Sequence, residues 1–158
     1  METGSLSEIK KELKTLSPQQ LQEICIRLAK YKKENKELLS YLLFETQNEQ
    51  AFIESVKEEM DEQFTRLNRT SLYLAKKTLR KVLRTTNKYI RFSGSKQTEI
   101  ELRLYFCEKM REMGYRLKNI RVLFNMYQRQ VHLIHNANSK LHEDLQYDYE
   151  EAVKKLSL

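Results

Sequence analysis

QFTRLNRTSLYLAKKTLRKVLRTTNKYIRFSGSKQT, residues 63–98, carries apolar side chains at helical spacing and ten Lys or Arg without one Asp or Glu. With Leu79 set at 0° and about 100° per residue, Leu72, Ala75, Val82, Leu83, Thr86 and Ile90 fall within about 60° of it. Lys77, Arg80, Lys81, Arg84, Lys88 and Arg91 fall between about 100° and 200°. One stripe is built for a core and the opposite face is built of cations, which predicts an amphipathic helix over about 69–92. Arg69 and Tyr73 extend the charged face toward its N-terminus.

The same patterning continues on both sides. Leu, Glu, Lys, Gln and Arg dominate, all good helix formers, and only three Gly and one Pro are available for tight turns in 158 residues. An all-α protein is predicted: about eight antiparallel helices in a compact bundle or a short HEAT-like hairpin stack. Ser5 with Glu8 predicts a capping box for a first helix over about 6–14. Ser17-Pro18-Gln19-Gln20 opens a second, to about residue 33. A third, about 35–46, is apolar nearly all round (Leu38, Leu39, Tyr41, Leu42, Leu43, Phe44) and is expected to be central and buried.

Helices over about 48–66, 96–113, 117–136 and 139–156 follow from periodicity, with Gly94 and Gly114 as terminators. Residues 1–5 read as a disordered lead-in and 6–158 as a single helical domain. No internal repeat is found.

Composition limits the function. No stretch reaches the ~20 apolar residues that cross a bilayer. Cys25 and Cys107 are too few for a disulfide framework, and both continue apolar stripes, so buried free thiols in a reducing cytoplasm are expected. Neither a Gly-rich phosphate loop nor a nucleotide fingerprint is present. Asp144/Asp148 and Glu58/Glu62 have ordinary surface spacing rather than that of an acid–base pair. His132, His135 and His142 lie in the last quarter, but Glu143 and Asp144 point away from His142 on a helix, and no metal is expected. Glu-x-x-His pairs for a di-iron bundle are missing. A non-enzymatic protein without cofactors is the expectation.

The charge is local. The chain carries a formal +7, and with 63–98 set aside the remainder is −3. Like charges at i,i+3 and i,i+4 (77/81, 80/84, 81/84, 84/88) each cost a few tenths of a kcal/mol. An acidic counterpart is therefore expected. A nucleic-acid backbone fits a linear array of Arg and Lys, and is favoured. An acidic protein surface fits as well, an anionic membrane less so. Internal neutralisation is the remaining alternative: Glu54, Glu58 and Glu62, or Asp144, Asp148 and Glu151, within one molecule or across a homodimer. The contact set predicted is Arg69, Tyr73, Lys77, Arg80, Lys81, Arg84, Lys88 and Arg91. No zinc-finger spacing, helix-turn-helix or RNA-binding strand motif accompanies it.

KKENKELLSYLLFE (32–45), AKKTLRKVLRTTNKYIRFS (75–93) and LHEDLQYDY (141–149) resemble an uncharacterised family of small all-helical bacterial proteins, a domain of unknown function. The resemblance implies a cytoplasmic bacterial protein and supplies neither an activity nor site residues.

Overall fold

The computed structural model describes residues 2–157; Met1, part of the expected lead-in, and Leu158 lie outside it. Among the described residues there are eight α-helices and no strand, so the all-α expectation holds. In order they are α1 Leu6–Leu13, α2 Pro18–Tyr31, α3 Lys33–Ser40, α4 Glu49–Thr65, α5 Leu72–Ser93, α6 Lys96–Glu112, α7 Arg121–Asn138 and α8 Glu143–Lys154. A π-helical turn follows α3 at Tyr41–Glu45, and a 3-10 turn precedes α7 at Leu117–Asn119.

The chain divides into two compact units, Met1–Phe44 and Glu45–Leu158. The sequence does not announce this division, because no linker or low-complexity segment lies between them.

The first unit is locally well specified and poorly buried. Both capping boxes form: Ser5 Oγ accepts from Glu8 N while Ser5 N donates to Glu8, and Ser17 and Gln20 do the same, with Pro18 in the first turn of α2. Yet α1, α2 and α3 bury none of their residues. The expectation of a central, buried third helix is met only at Tyr41, which is buried; Leu38 and Leu39 are half-buried, and Leu42, Leu43 and Phe44 are exposed, Phe44 at 74%. Three short helices enclose too little volume to bury a segment that is apolar on every side. Cys25 is exposed for the same reason, against the expectation that both thiols are buried.

The second unit has the core. Met60, Leu79, Val82, Ile100, Leu102, Phe106, Met110, Leu123, Tyr127 and Ile134 are fully buried, each contributing about 1.5–3 kcal/mol by removal of apolar surface from water. Its central helix is α6, which packs on α4, α5 and α7. Thr98, Ile100, Leu102, Arg103, Leu104, Phe106, Cys107 and Met110 are buried along it, on more than one face. Polar pins tie the other helices around α6. Tyr105 donates to Asp61 of α4 at 2.6 Å, and Tyr149 of α8 donates to Glu101 at 3.2 Å. The buried Tyr127 hydroxyl donates to the Leu156 carbonyl at 2.9 Å.

Candidate anion-binding surface

The loop before α5 sets where the basic helix begins. Asn68 Oδ1 accepts from the backbone of Thr70 and Ser71 (2.9 and 2.6 Å), an Asx turn that holds the chain out of helix. Ser71 then caps α5 by accepting from Leu74 N. The helix therefore starts at Leu72, not at 69, and Arg69 lies in the loop rather than on the helix. At the other end Gly94, in the left-handed region at φ 67°, donates to Ile90 O at 2.9 Å and stops the helix.

The core stripe falls where the wheel places it, with Ala75, Leu79, Val82, Thr86 and Ile90 buried. One flank is fixed to α4: Gln63 donates to Thr85 at 3.0 Å, and Tyr89 donates to Glu59 at 2.6 Å. The opposite flank reaches α6 through Asn87, which accepts from Arg103 at 3.1 Å. With both flanks and the core held, the third face of α5 turns to solvent.

That face carries the predicted contact set apart from Arg69. Lys77, Arg80, Lys81 and Arg84 are exposed and make no ion pair among the described residues. Tyr73, 72% exposed, stands on the same side one to two turns earlier. Lys88 is engaged instead with the rings of Tyr89 (4.3 Å) and Phe92 (5.9 Å). Arg91 lines a pocket at the α5–α6 junction with Lys96, Glu99 and Arg103. That pocket is internally satisfied: Glu99 pairs with Lys96 (2.8 Å) and Arg103 (3.1 Å). The adjacent N-terminus of α6 is already faced by the Glu49 carboxylate, which accepts from Ser93 and Thr98.

The acidic residues that could have neutralised the face from within are committed elsewhere or lie free of it. Glu54 pairs with Lys57 at 2.9 Å, Asp61 with Lys109 at 2.8 Å, and Glu150 with Lys154 at 2.6 Å. Asp148 and Glu151 line a pocket with Arg111 and Lys155. None reaches Lys77, Arg80, Lys81 or Arg84.

One feature escaped the sequence reading. Residues 113–142 form a second acid-free window with five Lys or Arg: Arg116, Lys118, Arg121, Arg129 and Lys140. All five are exposed and unpaired among the described residues. The same count of acids that found 63–98 would have found it. The histidines bring one correction: Asp144 does not point away from His142, because His142 is the N-cap and stands outside the helix. His142 caps α8, accepting from Asp144 N at 3.4 Å, and lies 3.3 Å from the Asp144 carboxylate. His132 pairs with Asn136 at 3.1 Å. Among the described residues no three His, Cys, Asp or Glu side chains gather as a metal would require.

No described helix is long and apolar enough to cross a membrane. Set against known protein families, curated proteins and solved structures, the chain matches none.

Proposed function

We propose that this protein is a non-enzymatic binding module whose α5 docks on a nucleic-acid backbone. The observation that carries the reading is the set of four exposed, unpaired cations, Lys77, Arg80, Lys81 and Arg84, on one face of one helix. Linear spacing of cations along about two turns matches the spacing of phosphates better than it matches a compact acidic patch. The helix keeps several like-charge contacts that cost stability, which a counter-charged ligand would remove. Lys88, Arg91 and the loop residue Arg69 lengthen the track, and Tyr73 adds an exposed ring for a base or sugar.

The test is fluorescence anisotropy with labelled single- and double-stranded DNA and RNA. If the exposed Lys77, Arg80, Lys81 and Arg84 each neutralise one phosphate of duplex DNA, the log–log salt slope between ~50 and ~200 mM is about −3.5. Absence of binding at the lower salt would overturn the reading and favour an acidic protein surface, the second reading, which the same four cations support.

A further inference from the structure

Leu21, Ile24, Leu28, Tyr31, Asn35, Leu38 and Leu42 are spaced 3, 4, 3, 4, 3 and 4 residues apart. This is the repeat of a helix seam that packs on another helix. It runs in one phase through α2 and α3 and reaches Leu42 in the π-helical turn, although the two helices are separated at Lys32 (φ −140°, ψ 141°). The break is held by the packing of α2 on α3, not by a helix-breaking residue. No Gly or Pro lies between Pro18 and Gly94, and Lys32 provides no side-chain cap for α3. The α2 end is patched by Asn35, whose amide donates to the Leu28 carbonyl at 2.9 Å. A break at a residue with ordinary helix propensity, in a segment that keeps its heptad phase, marks a helix that can be continuous.

The seam is only partly covered within its own unit, where α2 packs on α3 and Leu21, Asn35 and Leu38 are half-buried. Leu28 is 55% and Tyr31 79% exposed, and neither α2 nor α3 buries a residue. Helices this short are marginal in water without tertiary packing. The occupant is indicated by charge. Residues 1–44 hold eight Lys or Arg and six Asp or Glu, so two copies repel only weakly. When two copies of the 18–44 segment lie antiparallel with Leu28 against Tyr31, Arg27 of each flanks Glu34 of the other. In the parallel arrangement Arg27 would meet Lys32. The mixed signs beside a narrow seam fit a helix partner better than the cationic face that binds a lipid surface.

We infer that residues 18–44 are the self-association element of this protein. In the dimer α2 and α3 merge through Lys32 into one helix about 35 Å long, packed antiparallel on the same helix of a second copy. This inference is independent of the basic helix.

Sedimentation equilibrium of the full chain tests it. At about 100 µM the mass is expected at twice 19.1 kDa. Leu28→Asp places a charge in the seam and should give a monomer. Lys33→Pro tests the straightening. In the bent form Lys33 is the first residue of α3, where Pro is favoured, and Lys32 already has the extended backbone that a following Pro requires. This variant should keep the monomer's circular dichroism and lose dimerisation, because a continuous helix cannot carry Pro there. Arg27→Glu should weaken the dimer about tenfold, and adding Glu34→Arg should restore it, a readout that a folding defect does not mimic. A monomeric wild type would overturn the proposal and assign the seam to a different protein. A dimer untouched by Leu28→Asp would overturn the seam. One untouched by Lys33→Pro would overturn the continuous helix, and one untouched by the charge swap would overturn the antiparallel register.

Discussion

Arg103 of α6 donates through Nη1 to Oε1 of Gln130 on α7 at 2.7 Å, and both side chains are buried. The same guanidinium donates to Asn87 of α5 and, through Nε and Nη2, to Glu99 one turn earlier on α6. Three helices are thus joined by one planar cation whose donors are shared among three side chains. Breaking such a set leaves the buried Gln130 without its donor and Glu99 with Lys96 alone. Arg103→Ala should therefore lower stability by about 3 kcal/mol. Thermal unfolding followed by circular dichroism would show it, and the combined Arg103→Leu, Glu99→Leu, Gln130→Leu variant should recover much of the loss.

Glu99 and Asp61 make stability depend on acid. Burial opposes ionisation of Glu99, but the hydrogen bond from Lys96 and the Arg103 guanidinium outweigh it and hold the carboxyl below its ordinary 4.5. Partial burial likewise opposes Asp61, and Lys109 with the Tyr105 hydroxyl overcome it, below 3.8. Both groups release their proton more readily in the folded chain, so their contribution is complete above about pH 4.5 and fades as pH falls through the lowered folded values. Urea midpoints should hold between about pH 7 and 5 and drop below about pH 4. Glu99→Gln should flatten that drop; an unaltered slope would remove Glu99 as its source.

How much of this was legible is clearest on α5 and α6. On α5 the sequence places Leu79 and Arg84 on opposite faces, and the structure agrees, because a 22-residue helix with one apolar stripe has a single way to bury it. On α6 the alternation of Arg103, Glu99, Tyr105 and Lys109 with apolar residues looks like a surface helix. Burial there depends on partners from α4, α5 and α7 that are distant in sequence, and local periodicity carries no information about them. The reverse error falls on Leu42, Leu43 and Phe44, where hydrophobicity was taken for burial although burial needs neighbours as well. The start of α5 was missed by three residues because Asn68 favours a turn whose strength depends on its own geometry.

The two thiols should behave oppositely. Cys25 is exposed on α2, and Cys107 is buried on α6, where desolvation pushes its thiol up to about 12. A thiol-reactive chromogen at neutral pH should titrate one sulfur per native chain and two after denaturation. Two fast equivalents in the native protein would mean that α6 is not packed as described.

Gly94 tests backbone strain separately from crowding. A Cβ built there meets no atom within 4 Å, yet its φ of 67° is left-handed. Gly94→Ala should cost about 1 kcal/mol through conformation alone, and Gly94→Asn less, since Asn tolerates that region. Equal costs for the two, read from chemical denaturation, would point to a steric cause.

Arg84 sits three or four residues from Arg80, Lys81 and Lys88, so every close ionic neighbour on its face is a like charge. Arg84→Glu converts these repulsions into attractions, including a carboxylate four residues before Lys88, the more favourable orientation on a helix. The substitution should raise stability by about 0.5–1 kcal/mol, since each pair is worth a few tenths. The same change should weaken nucleic-acid binding and lower the magnitude of the salt slope by about one, the share of a single phosphate contact. Stability and binding would then move in opposite directions at one residue, which is expected where a surface is kept unfavourable for folding because a ligand completes it. Gain of stability without loss of binding would show that the repulsion on α5 serves some purpose other than the proposed contact.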